Sequence, residues 1–177
     1  GFRFGVQGGF GEVVNDAGGN RVADVYVRYA QGPVALSAAM LDDKGGSVTP
    51  DAHRRSWIVG GTYSFGSLRL KGAYLDVDDR TPANQDGNGW WLGADYRLGV
   101  SLVKIQYVVN KPRYIDNART EGLGLGYEYS LSKRTTLYTG LTYFPNQEGA
   151  GLGRASFSIP AGVTNTTDND LTQWIGG

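Results

Sequence analysis

The feature that most constrains this chain is a repeated pair of alternating segments joined by a short turn. The clearest pair occupies residues 125–143, where two runs flank a turn at Ser132, Lys133 and Arg134. Within each run, apolar or aromatic side chains take every second position, and mostly polar or small side chains take the positions between. Because successive side chains of a β-strand point to opposite faces, this pattern predicts a hairpin with one apolar and one polar face.

The hairpin pattern recurs along the chain with a spacing of about 33 residues. Tight turns are predicted near Gly32, Gly66, Gly99 and Ser132, and a long polar segment follows each hairpin. We predict about ten strands of roughly 8–11 residues, a length that spans a bilayer when the strand is tilted. Short turns at one end and long loops at the other are typical of outer-membrane barrels rather than of soluble sandwiches. The predicted loops are residues 15–20, 42–55, 76–88, 110–120 and 145–170.

The composition favours strands over helices and argues against several functions. The 177 residues include 28 Gly, 11 Tyr and 4 Trp but only 6 Pro, which predicts an all-β fold. Because 17 Lys+Arg balance 17 Asp+Glu, the chain lacks the basic excess of a nucleic-acid-binding protein. It contains no Cys and a single histidine, His53, so we expect no metal site. No residue pattern indicates a cofactor or catalysis, and we expect neither. We expect one β-barrel domain, or a fragment of one, over residues 1–177.

The apolar face carries tyrosines in two groups near the ends of the predicted strands. Amphipathic rings in two bands, bounding a middle of aliphatic residues, are typical of the two interfaces of a membrane. The alternation alone is equally compatible with a soluble β-sandwich binding module that buries the same residues in a core. The expected aromatic girdle consists of Tyr29, Tyr63, Tyr96, Tyr127 and Tyr129 near the short turns, and of Tyr74, Tyr107 and Tyr143 near the opposite ends.

The opposite parity is polar or small, and its basic residues outnumber its acidic ones. An Arg or Lys that faced lipid at mid-depth would cost roughly 2–4 kcal/mol, so a consistent parity of charges indicates a face turned away from lipid. We therefore predict a water-filled lumen with a basic-leaning wall. The expected pore-lining and selectivity residues are Arg3, Arg28, Arg69, Lys71, Lys104, Asp24 and Glu128.

Residues 126–138, GYEYSLSKRTTLY, resemble the late hairpin of the Gram-negative trimeric general-diffusion porins. Residues 1–5, 10–12 and 25–33 are similar to further segments of that family. The resemblance implies an antiparallel up-and-down β-barrel of sixteen strands in the outer membrane, with short periplasmic turns and long extracellular loops. It also implies a homotrimer in contact with outer-membrane lipid, which passes small hydrophilic solutes and ions by passive diffusion. Ser132, Lys133 and Arg134 would then form a periplasmic turn.

Counted along the family pattern, the ten predicted strands correspond to strands seven to sixteen, with the last one cut short. The resemblance therefore implies a signal peptide and about six more strands upstream, and a few residues ending in Phe downstream. The constriction loop of the family belongs to the upstream half. The basic wall predicted here would face that acidic loop and create a transverse electric field across the pore.

Three further motifs suggest other functions. Asp51 and His53 are the residues from which a ten-stranded surface protease could build an Asp/His dyad, and this remains an alternative function. The carboxylates of residues 42–43 and 76–79 match no calcium-loop pattern, so we expect solvated loop charge there. Gly122, Gly124 and Gly126 lack the strand–turn–helix setting of a nucleotide loop, which favours glycines on a lumen-facing or crowded strand face.

Overall fold

The structure, a computed structural model, describes residues 1–9, 21–45, 53–81, 85–115, 118–145 and, for the backbone alone, 171–176. Ten strands form in these segments, as the alternation predicts. They are β1 Phe2–Gly9, β2 Arg21–Gln31, β3 Val34–Lys44, β4 His53–Phe65, β5 Leu68–Asp79, β6 Gly87–Leu98, β7 Ser101–Pro112, β8 Thr120–Ser130, β9 Thr136–Phe144 and β10 Leu171–Gly176.

The strands form one antiparallel sheet in which every strand pairs with its neighbours in sequence. Within the described residues, β1 pairs with β2 alone and β10 with β9 alone. The described residues contain no helix long and apolar enough to cross a membrane. The predicted all-β antiparallel meander is confirmed.

Three of the predicted tight turns share one backbone geometry. Gly32, Gly66 and Gly99 each take the first central position of a two-residue loop, with φ of 56°, 57° and 57°. Glycine at this position with positive φ is typical of type II′ turns, whose twist matches that of the flanking strands. The fourth turn is longer: the Ser132 hydroxyl accepts hydrogen bonds from the backbone N–H groups of Arg134 and Thr135, both at 3.1 Å.

The apolar face of the sheet is exposed, whereas a soluble antiparallel sheet buries its apolar face. Large apolar side chains of one face are widely open, with Phe4 80% and Leu92 59% exposed. Only Val109 and Ala118 are buried apolar residues among the described segments. A soluble sandwich of this size would bury its apolar parity in a core. The soluble alternative is therefore not supported. We refer to the apolar face as the outer face and to the polar face as the inner face.

The strands run further than the sequence pattern predicts, because charged residues pair across the ladder at the loop end. The predicted loop over residues 42–55 is wrong at both edges, since β3 continues to Lys44 and β4 begins at His53. Arg55 lies opposite Asp42, and its guanidinium is 3.0 Å from that carboxylate. Similarly, β5 continues to Asp79, β6 starts at Gly87 and β7 ends at Pro112, all inside predicted loops.

Candidate pore wall

The polar face carries all seven residues predicted to line a pore, since their Cα positions share one parity of the register. Arg3 lies directly opposite Arg28 across β1 and β2. Asp24 lies opposite Gln7 on one side and Leu41 on the other. The remaining four lie on β5, β7 and β8 toward the short turns: Arg69, Lys71, Lys104 and Glu128.

Two lysines of the predicted set form ion pairs with carboxylates on the next strand. The ammonium nitrogen of Lys71 lies 2.6 Å from an oxygen of Asp95, which is largely shielded from solvent. Lys104 donates a hydrogen bond to Glu128. Because each positive charge is met by a negative charge of the wall, neither lysine contributes a full unit of charge to the space above the sheet.

The three arginines behave differently from the lysines. Within the described segments, Arg3, Arg28 and Arg69 form no ion pair, and all three side chains are exposed. Arg69 lies opposite Asp95 in the register, but that carboxylate is already engaged by Lys71. With Asp95 included, five basic and three acidic residues give this set a net charge of 5 − 3 = +2.

Glycines on the same face allow the lysines to lie flat. A Cβ at Gly93 would lie 3.1 Å from Lys71 Cε, and a Cβ at Gly126 would lie 3.5 Å from Lys104 Cβ. Each lysine therefore crosses the glycine directly opposite to reach the carboxylate two residues further along that strand. Sequence reasoning did not identify Asp95 as a site residue. Its spacing of two from a glycine, repeated in Gly126 and Glu128, is the signal that could have identified it.

The glycines at 122, 124 and 126 lie on the polar face of β8, and of these three Gly122 is the crowded one. The Phe144 ring lies over Gly122, where a Cβ would come within 2.5 Å of the ring and 3.0 Å of Val108 Cγ1. No helix follows these glycines, because β8 continues to Ser130.

All eight tyrosines of the predicted girdle lie on the outer face. Tyr74 packs against Trp57 with ring centroids 5.2 Å apart, and Tyr107 against Trp90 at 5.7 Å. Near the short turns, Tyr29 packs against Phe2 at 4.7 Å. Trp57, Trp90 and Phe2 lie on the same face and contact these tyrosines, but they are absent from the predicted girdle. Their apolar parity was the available signal. In the register, Phe2 lies opposite Tyr29 and Trp90 lies opposite Tyr74, whereas Trp57 lies opposite Asp76 and is diagonal to Tyr74.

The carboxylates at the loop end are engaged with neighbouring groups rather than free in solvent, so the expectation of solvated charge is wrong for three of them. Asp42 contacts Arg55 and lies 2.9 Å from His53 Nε2. Asp76 accepts from Arg113 at 2.7 Å, and this hydrogen bond raises the pKa of the Arg113 guanidinium. The Asp79 carboxylate accepts hydrogen bonds from the backbone N–H groups of Thr81, at 3.0 Å, and Gln85, at 2.9 Å.

No cluster of three or more potential metal ligands occurs among the described residues. Of the Asp/His dyad suggested by the sequence, only His53 is described, because Asp51 lies outside the described residues. His53 contacts Asp42, whose other oxygen accepts a hydrogen bond from Arg55.

Comparison with known proteins gives matches both in sequence and in fold. The sequence model of the Gram-negative porin family matches residues 1–150. Outer membrane porin protein 32 of Delftia acidovorans is 30% identical over 157 residues, which cover 85% of this chain and 44% of that protein. The solved structure of an anion-selective porin from Comamonas acidovorans superposes with a TM-score of 0.82 at 26% identity, over 99% of this chain and 55% of the other.

OmpT, an outer membrane protein of Vibrio cholerae solved in a trimer form, shares the fold at a TM-score of 0.55 and 19% identity, over 83% of this chain and 54% of that one. The chain thus spans about half the length of the relatives it matches. The family match, the superposition on a porin barrel and the inverted exposure of the two faces agree with one another. The chain belongs to the Gram-negative porin family.

Proposed function

We propose that this chain forms part of the wall of a water-filled channel, through which small hydrophilic solutes and ions diffuse passively. Family membership locates the chain in the outer membrane of a Gram-negative bacterium. The observation that carries the proposal is the division of each strand between two faces. Leu92, Ile105 and Leu125 are open on the apolar face, while Arg69, Lys71 and Lys104 lie on the other. Such a wall is stable between lipid and water, and the enclosed space conducts.

We further propose that the channel prefers anions. Pairing with Asp95 and Glu128 cancels Lys71 and Lys104, so the preference comes from Arg3, Arg28 and Arg69. Within the described part of the wall, Asp24 is the predicted pore-lining carboxylate that forms no ion pair. An excess of fixed positive charge raises the local concentration of anions in a confined aqueous space. The relative described as an anion-selective porin supports this proposal.

The channel proposal also assigns the domain, the aromatic bands and the assembly. The ten strands belong to one barrel domain that continues beyond the present chain, which is supported by their coverage of 55% of the similar barrel. The two aromatic bands lie at the two membrane interfaces, with the turn of Ser132, Lys133 and Arg134 on the periplasmic side. A homotrimer is the proposed assembly, supported by the trimer form of the fold relative from Vibrio cholerae.

The proposed activity requires no catalytic step. The protease alternative loses support because His53 contacts a carboxylate that Arg55 also binds, and an aspartate neutralised in this way is a poor orienting group for a base. A diffusion channel needs only a lumen of suitable width and charge.

Reversal potentials across a planar bilayer test the proposal on the intact porin that contains this chain. In a KCl gradient we expect a chloride-to-potassium permeability ratio above one, reduced about twofold to fivefold by Arg69→Gln, since a unit charge about 4–8 Å from an ion in water contributes roughly 0.5–1 kcal/mol. Arg134→Gln, in the turn, should change the ratio less. Absence of conductance would contradict the channel itself, and an unchanged ratio in Arg69→Gln would contradict the arginine assignment.

A further inference from the structure

A hollow of about 720 Å³ lies on the inner face of strands β2 to β6. Arg28, Arg69 and Trp91 contribute to its lining, together with a series of small residues. This volume falls within the range of small-molecule binding sites, roughly 300–1,000 Å³. The recess brings two guanidinium groups and an indole to the border of one open surface.

The register explains why the hollow exists. Arg28 on β2 and Trp91 on β6 lie in one row across the sheet, and the three residues between them are Ser37, Gly60 and Ala73. The row is about 19 Å long, since it crosses four strand spacings of about 4.8 Å each. None of the three intervening residues has more than one heavy atom beyond Cβ. A flat, open stretch of the sheet, here called the floor, therefore separates the Arg28 guanidinium from the Trp91 indole.

The floor cannot readily be filled. A Cβ at Gly60 would lie 2.9 Å from Ala73 Cβ and 3.0 Å from the carbonyl oxygen of Gly72. Contacts this short would force β4 and β5 apart. The close approach of the two strands therefore favours glycine at position 60. The recess is thus fixed by the packing of β4 against β5.

The walls of the recess differ in chemistry. Arg28 and Arg69 are exposed and form no ion pair in the described part of the chain, so both guanidinium groups are available to a carboxylate. Trp91 turns an aromatic side chain toward a face otherwise rich in charge, whereas its neighbour Trp90 packs on the outer face against Tyr107. Beside Trp91 in the register lie Ala73 and Val108, which extend the apolar surface.

We infer that this recess is a binding seat for organic anions with a flat apolar body, of which aromatic monocarboxylates are the simplest class. The carboxylate pairs with Arg28 or Arg69, and the ring lies over Ala73 and Gly60 against Trp91. A small inorganic anion would use only the arginines, and a neutral sugar would leave them unpaired. The seat rests on the proposed channel function and adds a preferred class of solute to it.

The test uses the intact porin in a planar bilayer and measures inhibition of chloride current by benzoate and by acetate. Stacking against an aromatic ring contributes enough to make benzoate inhibit at about fivefold to tenfold lower concentration than acetate. Trp91→Leu should abolish that difference, and Trp91→Phe should largely retain it. Trp90→Leu, a matched change on the outer face of the same strand, should leave the difference intact. Arg28→Gln should weaken inhibition by both acids.

The outcomes separate the seat from the channel. Conductance in KCl with equal inhibition by the two acids would overturn the seat while leaving the channel proposal standing. Loss of the benzoate preference in Trp90→Leu but not in Trp91→Leu would also overturn it. A protein that inserts but conducts no ions would refute the channel. Because KCl conductance is recorded for every variant, a variant that fails to fold is recognised directly. If Trp91→Leu fails, Arg28→Gln supplies the measurement, and unchanged inhibition by both acids in that variant would overturn the seat.

Discussion

Lys71 crosses the backbone of Gly93 on the neighbouring strand and ends 2.6 Å from Asp95. Lys104 repeats the arrangement over Gly126 with Glu128, one hairpin further along the chain. Glycine opposite the lysine leaves the space for a long side chain to lie against the wall, and the carboxylate two residues away holds it there. The wall therefore contains two kinds of cation: lysines that lie flat and are neutralised, and exposed arginines that are not.

The pairing predicts how selectivity responds when a whole ion pair is removed. In Lys71→Gln/Asp95→Asn, a positive and a negative charge 2.6 Å apart are lost together, so the chloride-to-potassium permeability ratio should stay close to that of the parent porin. Asp95→Asn alone leaves an uncompensated lysine and should raise the ratio about twofold to fivefold. Reversal potentials distinguish the two. A double variant that behaves like Lys71→Gln alone would show that the pair does not form.

Adjacent residues of β7 test which face meets lipid. Ile105 is 45% exposed on the outer face, and Gln106 lies beside it on the inner face. We expect Ile105→Arg to lower the free energy of unfolding in lipid vesicles by about 2–4 kcal/mol, because the charge enters the hydrocarbon region. Gln106→Arg should be tolerated. Urea denaturation followed by tryptophan fluorescence measures both, and equal losses would contradict the assignment of faces.

Crowding at Gly60 predicts a contrast between two inner-face glycines. Gly60→Ala should destabilise the barrel by about 1–3 kcal/mol, because its Cβ would meet Ala73 Cβ at 2.9 Å. Gly124→Ala is the control, since its nearest contact would be the Gln106 carbonyl oxygen at 3.9 Å. That substitution should be neutral or slightly stabilising, because alanine restricts the unfolded chain. The same denaturation assay compares them, and the idea fails if Gly124→Ala is the more harmful change.

At the glycines of the short turns, backbone conformation rather than lack of space is what disfavours another residue. Gly66 has φ of 57°, and a Cβ there would have no neighbour within 4 Å. Gly66→Ala should therefore cost about 1–2 kcal/mol through left-handed backbone strain alone. Ser67→Ala, at the next position of the same turn, should cost little. Refolding yield into detergent micelles and the unfolding midpoint report the difference, and no difference would mean that the turn relaxes to another type.

Much of the fold was predictable from the sequence because its signals are local. The alternation of Leu125, Tyr127 and Tyr129 with Gly126 and Glu128 assigns faces without reference to any other strand. Glycine at the start of three of the four short turns marks the hairpins, and the separation of charged from apolar parity indicates which face meets water. The positions of the predicted pore-lining residues on one face follow from the same pattern.

The ends of the strands and the partners of the charges were not predictable in this way. Asp42 looks like a loop residue until Arg55 is placed opposite it, which extends the ladder by several residues. Trp57 and Trp90 share the apolar parity of their strands, but their contacts with Tyr74 and Tyr107 appear only across strands. Their place in the aromatic band depends on register.

The sequence by itself determined that the chain forms hairpins with one apolar and one polar face, since strand periodicity and turn chemistry are properties of neighbouring residues. Only the tertiary structure decided which cations are neutralised and where the wall is hollow. Lys104 and Glu128 are 24 residues apart, and Arg28 and Trp91 are brought into one row by four successive strand pairings. The register of each pairing accumulates across the sheet, so the charge pattern of the pore wall emerges only when all the strands are aligned.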